Sequence, residues 1–181
     1  MKVEPTGLAG VLVIEPVVHQ DERGFFLESW RESHFREAGI IVRFVQDNHS
    51  RSHQGTLRGL HYQVERAQGK LVQAITGEIF DVAVDLRRSS PGFGRWVGMV
   101  LSDVNHRQLW IPPGFAHGFY VMSASADVVY KCTESYAPED ERALRWDDPE
   151  VGIAWPLAGG RPTLSARDAG GLPLSEAPTF P

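Results

Sequence analysis

Three side chains in the middle of this sequence have the chemistry to invert a carbon centre beside a carbonyl. His61 can accept a proton near neutrality, because an imidazole has a reference pKa of about 6.5. Tyr130 can return a proton from its phenol, and Lys70 can hold negative charge on an oxygen. Removing a proton next to a ketone needs a base and a group that steadies the enolate. Inversion needs, in addition, a proton donor on the opposite face. Each residue also has an ordinary structural use. A strand histidine packs in a core, an inward tyrosine ties up its hydroxyl, and a lysine at a strand start reaches solvent.

Alternating strands would gather the three. Leu57, Gly59, His61 and Gln63 share one strand face; so do Lys70, Val72 and Ala74, and so do Val128, Tyr130 and Cys132, with Lys131 pointing the other way. If these faces line a barrel interior, His61, Lys70 and Tyr130 meet inside it. Asp168 is a fourth candidate, since a carboxylate on the far nitrogen of a histidine fixes its tautomer. The segment around it, Leu164-Ser165-Ala166-Arg167-Asp168, reads equally well as a capped turn.

Pro112-Pro113-Gly114-Phe115-Ala116-His117-Gly118-Phe119 carries the second half of the cupin metal pattern, PxGxxH. The first half requires H-x-H and a later acid. Here it reads His61-Tyr62-Gln63, and Glu65 is not at ligand spacing. A transition metal wants three good nitrogen or carboxylate ligands. The expectation is a cupin barrel that keeps the pocket and holds no metal.

The elements that must position these residues read mostly as β. Val11–Val18 and Phe25–Trp30 flank a polar turn at Asp21–Gly24. Ser29 and Glu32 have capping-box spacing, with a short helix over Arg31–Ala38 ending at Gly39. Val42–Gln46 reads as a strand and His49–Gly55 as a loop. Strands follow over Thr56–Gln63, Lys70–Thr76, Glu78–Leu86, Trp96–Leu101, Arg107–Ile111, Gly118–Met122 and Asp127–Thr133, with Ser90-Pro91-Gly92 and Pro112-Pro113-Gly114 as turn signals. Many short strands at close spacing argue for a sandwich or barrel rather than a βαβ fold. One domain over 1–181 is expected, with the barrel core at about 40–135 and a loop-rich segment from Trp155 onward packed on it.

Bulk properties exclude several classes. A net charge of −5 does not advertise nucleic-acid binding. No apolar run approaches a membrane span, and the N-terminus lacks a secretory pattern. The lone Cys132 agrees with a reducing compartment, so a cytoplasmic address is expected. Of eighteen cationic residues only Lys2, Lys70 and Lys131 are lysines. Arginine grips phosphate in two places, although codon bias explains the bulk count as well.

Taken together, the segments Asp21–Glu28, Gln46–Ser50, Leu57–Gln63, Gln68–Val72, Phe80–Arg87, Ile111–Phe119 and Tyr130–Thr133 resemble the dTDP-4-dehydrorhamnose 3,5-epimerase family over about residues 8–170. The resemblance implies a mainly β, cupin-type double-stranded β-helix with a few short helices. It implies His61 as the base at sugar carbons 3 and 5, Asp168 as its partner, Tyr130 as the acid, and Lys70 at the enolate oxygen. Arg58 and His117 would help line the sugar site. Arg23, Phe26, Glu28, Gln46, Asn48, Glu141 and Arg167 would hold the rest of the dTDP-sugar. The family needs no metal and no cofactor, and it is usually a homodimer with exchanged N-terminal strands.

Strict alternation puts Arg58 and His61 on opposite faces, so an irregularity is expected at Gly59. The rivals are an epimerase acting at carbon 3 or carbon 5 alone, a metal-dependent cupin, and a non-catalytic sugar-binding cupin.

Overall fold

The computed structural model describes residues 1–181. Thirteen strands and two short helices follow one another: β1 (Lys2–Pro5), β2 (Leu12–Glu15), β3 (Val18–Asp21), β4 (Gly24–Leu27), α1 (Glu32–Glu37), β5 (Gln46–His53), β6 (Leu57–Gln63), β7 (Lys70–Thr76), β8 (Glu78–Asp85), β9 (Trp96–Ser102), β10 (Gln108–Ile111), β11 (Phe115–Val121), β12 (Ser125–Cys132), β13 (Glu141–Ala143) and α2 (Ala166–Ala169). A six-stranded sheet has the order β1-β2-β10-β7-β12-β5, and a five-stranded sheet the order β13-β6-β11-β8-β9. The β3–β4 hairpin pairs only with itself. Every pairing between these strands is antiparallel.

Two apolar layers fix this arrangement. Val72, Leu109, Ile111 and Val128 of the six-stranded sheet pack between the sheets against Ile79, Ala83, Phe119 and Val121. The outer face of the five-stranded sheet is covered as well: Leu60, Tyr62, Val82 and Val84 meet Leu174, Ala177 and Phe180 from the C-terminal segment. With both faces covered, β11 is buried at every position, which is why Phe115–Val121 shows no polar alternation. The C-terminal segment is bridged to the barrel at Thr56–Thr163, Leu144–Leu172 and Arg87–Phe180. The Tyr62 hydroxyl donates to the Pro178 carbonyl at 2.7 Å.

Three local readings are corrected. The expected loop at His49–Gly55 is largely strand, because β5 pairs with β12 over all eight of its residues. Its polar residues alternate between half-buried and exposed, and the half-buried ones face a polar cavity rather than an apolar core. The expected strand at Val42–Gln46 is irregular up to residue 45; Val42 and Phe44 instead cover Phe35, Leu71 and Trp110. The capping box at Ser29 does not form. Helix α1 has Arg31 at its N-cap with no side-chain cap, and the Ser29 carbonyl accepts from Gln108 Nε2 at 2.7 Å. The three-residue strand β13 was not anticipated. No helix is long and apolar enough to cross a membrane.

Candidate active site

The site begins with a bend in β6. His117 of β11 lies opposite His61, but Phe119, two residues on, lies opposite Arg58, three residues back. One extra residue on β6 makes a bulge. Gly59 sits there with φ of +116°, followed by a cis peptide to Leu60. A Cβ on Gly59 would come within 2.6 Å of the Gly118 Cα and the His117 carbonyl, so only glycine lets the strands approach this closely. The bulge turns Arg58 and His61 toward one cavity, as the sequence required.

That cavity has a volume of about 300 Å³. The five-stranded sheet supplies Arg58, His61, His117 and Phe119 to its lining. The six-stranded sheet supplies Lys70 from β7, Tyr130 from β12, and Gln46, Asn48 and Ser50 from β5. Base and acid candidates therefore stand on different sheets. Gln68, Tyr136 and Glu141 complete the lining.

His61 Nε2 stands 2.7 Å from Asp168 Oδ1, and His61 Nδ1 is 4.0 Å from Glu141 Oε1. With Nε2 buried against the carboxylate, Nδ1 is the nitrogen left to the cavity. Asp168 is fixed from several sides. Oδ1 accepts from the Gly59 N–H at 3.1 Å and Oδ2 from the Ser165 hydroxyl at 2.7 Å, and a reciprocal capping box starts α2. Asp168 thus both caps the turn into α2 and stands against the His61 ring. Burial alone would raise its carboxyl; the His61 ring, the Ser165 hydroxyl and the Gly59 N–H outweigh that and bring it down to about 2.

Lys70 is buried, and its Nζ donates to the His61 carbonyl at 3.4 Å. Burial lowers its pKa from the usual lysine value, against the pull of Cys132, Glu141 and Asp81. Burial also raises the Tyr130 phenol, which keeps it a proton donor. Arg58 Nε donates to Ser52 Oγ at 2.8 Å. Gln46 Nε2 donates to Asn48 Oδ1 at 3.0 Å. Arg167 pairs with Glu141 and donates to the Tyr136 hydroxyl at 3.1 Å.

Three predicted residues stand elsewhere. Arg23 pairs with Asp21, Phe26 is 71% exposed, and Glu28 pairs with Arg31 and His34. Within one chain none of them lines the cavity, because the β3–β4 hairpin pairs with no other strand. Sequence reasoning also missed Ser50, Gln68, Tyr136 and Asp81. Ser50 was hidden by the loop reading of β5. Asp81 had a signal: in Ile79–Ala83 it alternates onto the same inward face as two apolar residues.

No group of three or more His, Cys, Asp and Glu side chains stands close enough to hold a metal ion. His61 and His117 each have Nε2 at 2.7 Å from an aspartate. The donor set does not fit a metal.

A cupin-type β-barrel with a histidine–carboxylate pair on one wall and a phenol and an ammonium on the other presents the groups that acid–base chemistry on a small molecule needs. The family model described as dTDP-4-dehydrorhamnose 3,5-epimerase matches residues 5–176. The chain is 56% identical over 182 residues to the dTDP-4-dehydrorhamnose 3,5-epimerase of Pseudomonas aeruginosa, covering 100% of both. It matches the crystal structure of a dTDP-6-deoxy-D-glucose-3,5-epimerase from Legionella pneumophila in complex with dTDP-4-keto-L-rhamnose, with a TM-score of 0.94 and 52% identity over 97% of this chain and 93% of that one. A 3'-monoepimerase from Streptomyces bikiniensis, in complex with dTDP-quinovose, is similar at TM-score 0.89 and 36% identity, over 94% and 87% of the two chains. The chain belongs to the dTDP-4-dehydrorhamnose 3,5-epimerase family.

Proposed function

We propose that this chain converts dTDP-4-dehydro-6-deoxy-D-glucose to dTDP-4-dehydro-L-rhamnose, inverting carbons 3 and 5, as a step toward dTDP-L-rhamnose. His61 takes a proton from the carbon beside the ketone through Nδ1, while Asp168 holds Nε2 and stabilises the imidazolium. The electron pair moves to the oxygen on carbon 4, where Lys70 steadies the enolate. Tyr130 returns a proton to the opposite face, and the two residues are then reset by exchange with solvent. Arg58 and His117 line the sugar site. Gln46, Asn48, Glu141 and Arg167 hold the nucleotide and diphosphate. The observation that carries this reading is the placement of base and acid on two different sheets facing one cavity.

Arg23, Phe26 and Glu28 enter through a homodimer. The β3–β4 hairpin exposes Phe25 and Phe26 at 60% and 71%, and its exchange with a second copy would carry these residues to that copy's cavity.

Turnover in deuterated water tests the assignment. Deuterium is expected at carbons 3 and 5; label at one carbon alone would establish a single-site epimerase instead. His61→Ala should abolish turnover and leave dTDP binding intact, and full activity in that variant would remove His61 as the base.

A further inference from the structure

Behind the cavity lies a second histidine–carboxylate pair. Asp81 of β8 is wholly buried, and its Oδ1 stands 2.7 Å from Nε2 of His117, itself 6% exposed. The remaining oxygen, Oδ2, is buried with no protein partner. Its strand neighbours on the same face, Ile79 and Ala83, belong to the apolar core. A carboxylate here is a poor way to stabilise a fold, since exchanging a buried charge for apolar packing is often neutral or favourable.

Its position relative to the chemistry is better defined. His117 pairs in register with Ala83 on one side and with His61 on the other. Its ring centroid lies 6.4 Å from those of Phe119 and Tyr130. Asp81 also lies near enough to Lys70 to act on its charge. With Nε2 donating to Asp81, the His117 ring is fixed in plane and tautomer, and Nδ1 is its only nitrogen open to the sugar.

We propose that Asp81 is a positioning residue for the epimerisation: it accepts from His117 Nε2–H, so that the Nδ1 lone pair faces the sugar and accepts from one of its hydroxyl groups, orienting the ring beside Lys70. The proposal rests on the reading of the site given above. Asp81 touches no substrate and acts only through His117.

Asp81→Asn keeps the shape and an acceptor oxygen but removes the charge. The expected result is a roughly 10- to 100-fold fall in kcat with KM within about twofold, less than the 10²–10³ lost on deleting an oxyanion donor itself. Melting temperature and dTDP affinity should hold or rise. In a His117→Ala background the same substitution should change kcat by less than about twofold, because its route of action is gone. A kcat within twofold of the parent, or an undiminished further loss in the His117→Ala background, would overturn the proposal. In the unsubstituted protein, ¹⁵N NMR should show His117 protonated at Nε2, and a proton carried on Nδ1 alone would overturn it without any variant. If the parent enzyme itself fails to turn over the 4-keto sugar, the reading of the site falls, whereas the NMR result still decides the Asp81–His117 bond.

Discussion

At the scale of single residues, the site depends on a carboxylate with two duties. Asp168 fixes the His61 ring and caps the turn that carries it. Its carboxyl sits at about 2 instead of 3.8, so the native state binds fewer protons than the unfolded chain across that interval. The resulting stabilisation is complete above about pH 4 and is lost as the pH falls toward 2. Urea unfolding at a series of pH values should therefore show the parent losing its advantage over Asp168→Asn across that window. A constant difference between the two proteins would contradict it. His61, Lys70 and Tyr130 were legible as a set because strand alternation is a strong signal. The bond from Asp168 to His61 was not: it spans 107 positions, and its local pattern announces only a cap. Asp81 stayed hidden because one acid among apolar residues looks like noise until its partner is known.

At the scale of elements, regular strands such as β7 matched their sequence limits of Lys70–Thr76. Failures fell where polar residues do the work of a core. β5 presents Gln46, Asn48 and Ser50 to a polar cavity, so its alternation is polar on both faces and hydropathy cannot see it. The β6 bulge was legible, because a functional demand on Arg58 and His61 conflicted with alternation beside a glycine. Gly59→Ala should cost more than about 2 kcal/mol, since a Cβ at 2.6 Å from two backbone atoms forces the sheet apart. It should also lower kcat/KM as Arg58 leaves the cavity. Denaturant unfolding together with steady-state kinetics checks both effects, and a fully stable, fully active variant would show that the bulge tolerates a side chain.

At the scale of the whole molecule, the free-standing β3–β4 hairpin and its exposed phenylalanines point to assembly. Light scattering should find a dimer, and replacing Phe25 and Phe26 with Asp should yield monomers with reduced kcat/KM. A fully active monomer would exclude Arg23, Phe26 and Glu28 from a shared site. Activity should also survive exhaustive chelation, because no three His, Cys, Asp or Glu side chains come together as a ligand set. Loss of turnover restored by a divalent metal would favour the metal-dependent cupin.

The carboxylate that stands against His61 arrives late in the chain. His61 emerges from a ribosome more than a hundred residues ahead of Asp168, and the barrel strands can pair in the interval. A nascent polypeptide arrested anywhere before α2 would therefore hold its imidazole unrestrained, and the cell would meet a competent enzyme only once synthesis had passed residue 168.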